Sequence, residues 1–333
     1  MCKKNILFLS LFIFVISSCG GGGGGSPAAA PQQNLTTPTP APTPATPSPN
    51  SITSNLIAQA KGTINGEMSY KEIDREFILY VPSSYDSSAK QPLVFNFHGY
   101  GSNANEQMNY GDLRSQADTN GFILVHPEGL DDIGGTSYWN MGGWSISAHD
   151  DLEFIDNLIN LLMDKYSVNA ERIYSAGMSN GGFFSFHLAC NLNASFAAIA
   201  SVTGSMSYET YESCNARKPT PVIQVHGSND TVVPYAGVNS IMKPVMEVMD
   251  YWKINNSCND YSFNTDDRLY GGSIYTDIYT YDGCLNGTQN IHLYINGAGH
   301  IWPGSIYEGI SDPVASQRIW DFFSKYDING VIQ

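Results

Sequence analysis

The stretch Tyr174-Ser175-Ala176-Gly177-Met178-Ser179-Asn180-Gly181-Gly182 decides how this chain is read. It joins a short strand-like run, Arg172 to Ser175, to a segment of helical character from Gly182 to Cys190. Between them stands the pattern G-x-S-x-G, from Gly177 to Gly181. A serine in a sharp strand-to-helix turn takes a strained backbone conformation, and side chains two residues to either side would collide. Glycine at both places removes the collision. The hydroxyl then projects from the end of a strand beside a helix N-terminus, whose dipole favours developing negative charge. The alternative is an ordinary glycine turn; the strand before and the helix after favour Ser179 as a nucleophile.

A nucleophilic serine needs a base, and the base needs an orienting acid. Of the seven histidines, His300 stands out, because Gly297-Ala298-Gly299-His300 places it in a small-residue loop after an apparent strand. Asp230 closes His226-Gly227-Ser228-Asn229-Asp230, just beyond the strand-like Val222 to Val225. Taken singly, a loop histidine is usually inert and a turn aspartate usually structural. Taken together, Ser179, Asp230 and His300 each follow their own strand, in the chain order of an α/β-hydrolase triad. An acyl-transfer site also needs N–H donors for its oxyanion. The Asn180 N–H, next to the serine, is one expected donor. The Tyr100 N–H is the other, in the loop His98-Gly99-Tyr100-Gly101 after an early strand.

Outward from this centre, strands alternate with helices. Arg75–Val81, Leu93–Phe97, Phe122–His126, Phe196–Val202, Val222–Val225, Tyr275–Tyr281 and Ile291–Ile295 are rich in strand formers. Asp151–Tyr166, Ile241–Trp252 and Val314–Tyr326 have helical periodicity, with Pro244 expected to bend or shorten the second. The fold class is therefore α/β: a mostly parallel central sheet with helices on both faces, and sites at the carboxyl ends of strands. Asp150-Asp151 is read as acidic charge at a helix start, not as a metal pair.

Length and composition bound the rest. The chain has 333 residues, 42% hydrophobic and 14% charged, enough for one sizeable core. A formal net charge of −15 disfavours nucleic acid as a partner. Lys3 and Lys4 precede an apolar run, Ile6 to Ile16, that ends in Ser17-Ser18-Cys19. This resembles the lipobox of bacterial lipoproteins, which implies cleavage before Cys19 and a lipid on its thiol; the alternative is a secretory signal with an incidental cysteine. The expected organisation is a signal over 1–18, a Gly/Pro/Thr-rich tether over 19–60 and a catalytic domain over 61–333. Either reading of the leader exports the protein, with the membrane as a partner only through the lipid. Cys190, Cys214, Cys258 and Cys284 remain in the exported body and allow three pairings. The sequence-local one, Cys190–Cys214 with Cys258–Cys284, is favoured over the others and over a zinc site.

Four blocks now stand together: the early His98-Gly99, Gly177 to Gly182, His226 to Tyr235 (HGSNDTVVPY) and Gly297 to Gly304 (GAGHIWPG). From about Ile73 to Tyr326 the chain resembles the polyhydroxybutyrate depolymerase/feruloyl and acetylxylan esterase family of α/β-hydrolases. The resemblance implies a serine esterase with Ser179 as nucleophile, His300 as base and Asp230 as acid, no cofactor and no metal. It also supports disulfides at the four cysteines. Many relatives carry two further cysteines where this chain has Tyr100 and Tyr138. The loop bearing Trp139 is therefore expected to lack a disulfide and to be freer. Tyr138, Trp139, Trp144 and Trp302 are expected near the mouth, where they would meet a sugar or an aromatic acyl group. The expected partner is a small-molecule or oligosaccharide ester met by a monomer. Feruloyl or acetyl esters of xylan fragments are the first expectation and poly(3-hydroxybutyrate) the second. A catalytically inactive binding module is the reading from another class.

Overall fold

The computed structural model describes residues 51–142, 149–266, 275–305 and 314–333. The proposed signal, Cys19 and the tether as far as Asn50 lie outside the described residues, as does Trp144. In chain order the first strands are β1 (Thr53–Ser54), β2 (Gly62–Tyr70), β3 (Ile73–Val81), β4 (Gln91–Phe97) and β5 (Ile123–Pro127). A small ribbon, β6 (Leu130–Asp131) with β7 (Ser137–Tyr138), precedes β8 (Val168–Met178), β9 (Ala198–Val202) and β10 (Val222–Gly227). Then come β11 (Asp260–Asp266), β12 (Thr276–Asp282) and β13 (Asn290–Ile295). The main sheet runs β1-β2-β3-β5-β4-β8-β9-β10-β13-β12-β11. Its middle, from β5 through β4, β8, β9 and β10 to β13, is parallel throughout, and antiparallel strands extend it on both sides.

Burial follows this plan. Every residue of β9 and β10 is buried, as parallel strands covered on both faces require. Strand β3 instead alternates buried with more exposed positions, the pattern of an antiparallel flank with one wet face. Helices α1 (Ala104–Tyr110), α2 (Arg114–Asn120), α3 (Asp151–Lys165), α4 (Asn180–Asn191), α5 (Tyr208–Ser213), α6 (Val245–Asn255) and α7 (Val314–Phe323) surround the sheet. One core joins α3 and α4 to the sheet through Phe154, Leu158, Phe184 and Phe97. Another joins α7 through Ile319, Trp320 and Phe323 to Tyr174 and Phe122. The disulfides Cys190–Cys214 and Cys258–Cys284 are those of the sequence-local pairing.

One expectation is corrected and two are made more specific. The body does not begin at 61. Thr53 pairs with Ser69, Leu56 is buried, and the Gln59 N–H donates to the Lys165 carbonyl, so the segment before Ala60 is packed on the domain. Pro244 shortens the expected helix and does not bend it. It is the N-cap of α6, a place where its missing N–H costs nothing, and residues 241–243 lie outside the helix. Asp151 does more than charge the start of α3. Asp150 caps that helix by accepting the Glu153 N–H, while Asp151 pairs with Arg75 at 2.8 Å with both side chains buried. The Arg75 guanidinium also lies over the Phe154 ring, 3.7 Å from its centre.

Candidate active site

Strand β8 ends at Met178 and α4 begins at Asn180, so Ser179 alone makes the turn. Its backbone has φ 53° and ψ −119°, a conformation that an ordinary residue holds only when its surroundings enforce it. The enforcement is visible on either side. A Cβ on Gly177 would come within 2.3 Å of the Gly181 carbonyl oxygen, and one on Gly181 within 2.3 Å of the Phe97 carbonyl oxygen. The Ser179 N–H donates to the Val202 carbonyl at 2.8 Å, which ties the turn to β9.

Asp230 lies on the loop after β10 and His300 on the loop after β13, neighbouring strands whose loops are joined by main-chain bonds. The Ser228 N–H donates to the Ile295 carbonyl and the Asn229 N–H to the Ala298 carbonyl. His300 Nδ1 stands 2.8 Å from Asp230 Oδ2, while Asp230 Oδ1 accepts the N–H groups of Val232 and Val233. Burial pushes the Asp230 carboxyl up. The hydrogen bonds from His300 and Val233 outweigh it and hold the group below the usual carboxylate range. An ionised Asp230 fixes the His300 proton on Nδ1 and leaves Nε2 as the basic atom. Ser179 and His300 both line one cavity of about 650 Å³.

The loop after β4 runs beside the serine: a Cβ on Gly99 would sit 3.4 Å from Ser179 Cβ. His98, fully buried, holds this loop. Its Nδ1 donates to the Gly99 carbonyl at 2.8 Å and its Nε2 accepts the Gly129 N–H at 2.9 Å. Burial drives its pKa down to about 4, so the ring is neutral and keeps both bonds. A trans peptide whose carbonyl faces His98 turns the Tyr100 N–H the opposite way. Among the described residues, neither the Tyr100 N–H nor the Asn180 N–H has a hydrogen-bond acceptor in the chain.

His226, also fully buried, stands behind the acid. Its Nε2 donates to the Val233 carbonyl at 2.9 Å and lies 3.4 Å from Asp230 Oδ2. Burial lowers its pKa, so it braces the Asp230 loop as a neutral ring. Neither His98 nor His226 has a role assigned by the sequence motifs in which it stands. Their signal was position, each one residue before a glycine at the end of a buried strand.

Of the four aromatics expected at the mouth, Trp144 lies outside the described residues and the other three do not line the cavity. Tyr138, Trp139 and Trp302 are buried, with Trp139 0% and Trp302 1% exposed. Trp139 packs between Phe97 and Phe184 and donates Nε1–H to the His98 carbonyl. Trp302 donates Nε1–H to Ser316 Oγ. Large rings in this sequence fill core space, and the cavity wall is made instead by Tyr100, Tyr110, Met178 and Val232. The loop bearing Trp139 is not freer for lack of a disulfide. The Gly101 N–H donates to the Ser137 carbonyl, and Asn180 binds both main-chain groups of Trp139.

A family model described as Phospholipase/Carboxylesterase matches residues 83–262. A bifunctional acetylxylan esterase/xylanase of Neocallimastix patriciarum is 27% identical over 270 residues, covering 81% of this chain and 36% of that protein. Feruloyl esterase C of Emericella nidulans is 26% identical over 258 residues, covering 75% of this chain and 83% of that one. Among solved structures, an acetyl xylan esterase from Aspergillus awamori aligns with a TM-score of 0.51 at 16% identity, over 83% of this chain and 99% of that chain. The feruloyl esterase module from Clostridium thermocellum, complexed with sinapinate, aligns with a TM-score of 0.51 at 19% identity, over 79% and 89%. At such identities the structural likeness carries the fold alone: the α/β-hydrolase sheet with its flanking helices.

Proposed function

The chain belongs to the phospholipase/carboxylesterase family, and from that premise we propose that it is a serine carboxylic-ester hydrolase acting through an acyl-enzyme on feruloyl or acetyl esters of xylan fragments. The observation that carries the reading is the Ser179 turn, held at φ 53° on the same cavity as a His300 imidazole oriented by Asp230 at 2.8 Å. His300 Nε2 takes the Ser179 proton as Oγ adds to the ester carbonyl. The oxyanion is received by the Tyr100 and Asn180 N–H groups. His300 then returns the proton to the leaving alcohol, and a water activated by the same nitrogen releases the acid. The substrate class rests on the named relatives, an acetylxylan esterase/xylanase and a feruloyl esterase. The cysteine pairs and the lipobox-like Cys19 support an exported body tethered by lipid.

A fluorophosphonate probe followed by peptide mapping tests the mechanism. Labelling should fall on Ser179 and vanish in Ser179→Ala together with hydrolysis of a small acetate ester. Ester turnover that survives Ser179→Ala would overturn the reading. The inactive-module alternative predicts no labelling.

A further inference from the structure

Most polar groups around the cavity already have partners in the chain. The Ser102 hydroxyl donates to Glu106 at 2.7 Å, the Tyr100 hydroxyl to Asp132 at 2.8 Å, and His300 binds Asp230. Gln107 is different. It lines the cavity although it is only 2% exposed, and its amide can lie only one way round. The Asn96 side chain, fully buried on β4, donates Nδ2–H to the Gly111 carbonyl at 2.8 Å, where only a donor fits. Asn96 Oδ1 must therefore face Gln107 and accept its Nε2–H, again at 2.8 Å. Gly111 lets the amide in: a Cβ there would stand 2.6 Å from Gln107 Nε2. The relay spends the donor end of Gln107 and leaves Oε1 without a donor among the described residues. That oxygen is not sealed in the core, in contrast to the buried, unpaired Gln116 Oε1 and Gln224 Oε1.

The cavity also holds Ser102 and Glu106, which bind each other, but beside the Tyr110 ring, Met178 and Val232 a fixed carbonyl-type acceptor has a chemical counterpart. We infer that Gln107 Oε1 is a specificity-determining acceptor for the acyl group, and that the acyl group it fits is an aromatic one bearing a phenolic hydroxyl, a hydroxycinnamoyl ester. This deepens, and rests on, the esterase reading above. The flat apolar ring and its propenoyl arm pack on the wall, and the phenol donates to Oε1 at the far end. An acetyl group has no hydroxyl to donate to that oxygen. A ring whose hydroxyl is methylated presents no donor and leaves the buried acceptor unpaired, which costs binding.

The test compares methyl ferulate with methyl 3,4-dimethoxycinnamate on the full chain, with rates normalised to sites titrated by fluorophosphonate. Wild type should favour the phenol in kcat/KM by on the order of ten-fold, about the net worth of one neutral hydrogen bond. In Gln107→Met, which keeps the side-chain volume and removes the acceptor, the ratio should collapse toward one, with the change in KM for ferulate. A Gln107→Met ratio equal to that of wild type overturns the assignment. If Gln107→Met does not fold, the wild-type pair decides alone: equal rates on the two esters overturn it. Turnover of p-nitrophenyl acetate without turnover of either cinnamoyl ester overturns the acyl assignment and leaves the esterase standing. Turnover of none of the three overturns both.

Discussion

The Asn180 side chain grips the main chain of Trp139 at both ends. Its Oδ1 accepts the Trp139 N–H at 2.7 Å and its Nδ2 donates to the Trp139 carbonyl at 3.1 Å. The residue after the nucleophile thus locks the neighbouring loop, while its own N–H is free to meet an oxyanion. The loop in turn steadies the other donor, because Ser137, two residues before Trp139, accepts the Gly101 N–H at 2.8 Å. Asn180→Ala keeps the Asn180-position N–H yet strands two buried main-chain groups, a loss of about 2–4 kcal/mol in stability. Urea unfolding should show that loss, and kcat for a small acetate ester should fall at least ten-fold as Tyr100 loses its support. Unchanged kcat would mean that the loop does not position the donor.

The triad members should fail together. Ser179→Ala and His300→Ala should each remove nearly all turnover, because neither works without the other. Asp230→Asn should lower kcat by on the order of 10⁴, since an amide there no longer fixes the His300 proton on Nδ1. A near wild-type rate in Asp230→Asn would move the acid to another residue.

Stability should fall in mild acid. Burial lowers the pKa of His98 and His187 to about 4 and of His126 and His292 to about 3. Unfolded, each would titrate near 6.5. Between about pH 6.5 and 4 the unfolded chain therefore binds protons that the folded chain refuses, so stability drops as pH falls. Each ring can contribute up to roughly 1.4 kcal/mol per pH unit in that window. The carboxyls of Glu128 and Asp151, raised by burial, act in the opposite sense but are fewer. A series of Tm measurements from pH 7.5 to 4.5 should slope steadily downward; a flat series would contradict the neutral buried rings.

The packed segment before residue 61 gives a second stability test. A chain starting at residue 51 keeps the Thr53–Ser69 pairing, the buried Leu56 and the bond from the Tyr166 hydroxyl to the Ala60 carbonyl. One starting at residue 61 loses all three. Burial of Leu56 alone is worth about 1.5–3 kcal/mol, so the shorter chain should melt several degrees lower. Equal melting temperatures would show that the segment is a passenger.

The candidate catalytic centre is legible in the sequence because each part leaves a local mark. The glycines at 177 and 181 record a collision, and the strands before Ser179, Asp230 and His300 are rich in strand formers. Gln107 and Asn96 left no such mark, since an oriented amide exists only once β4 and α1 are side by side. Strand β11 (DYSFNTD) was missed for a different reason. Tyr261 and Phe263 do alternate with polar residues, but two apolar residues in seven, both exposed, make a weak strand signal. The Gly-containing β2 (GTINGEMSY) is weakly patterned in its first half for the same reason.

Trp302 shows how a correct motif can carry a wrong role. It follows His300 by two residues in GAGHIWPG, and proximity in sequence placed its ring at the mouth. In the fold the Trp302 N–H donates to the Tyr110 hydroxyl at 3.3 Å, and the ring is buried and absent from the cavity lining. There its edge lies against Gly111, so that a Cβ on Gly111 would come within 3.1 Å of it. Trp302 therefore supports the end of α1 and offers no face to substrate. Trp302→Ala should behave as a core deletion, costing about 3–5 kcal/mol as the cavity forms and Ser316 loses its donor. The surviving folded enzyme should lose turnover of acetate and cinnamoyl esters together, since the damage reaches them through a displaced Tyr110 and a loosened His300 loop. The measurement is kcat/KM for both ester classes per fluorophosphonate-reactive site, with Tm recorded alongside. A variant with unchanged Tm and a selective loss of the aromatic ester would return Trp302 to the mouth and contradict the buried placement.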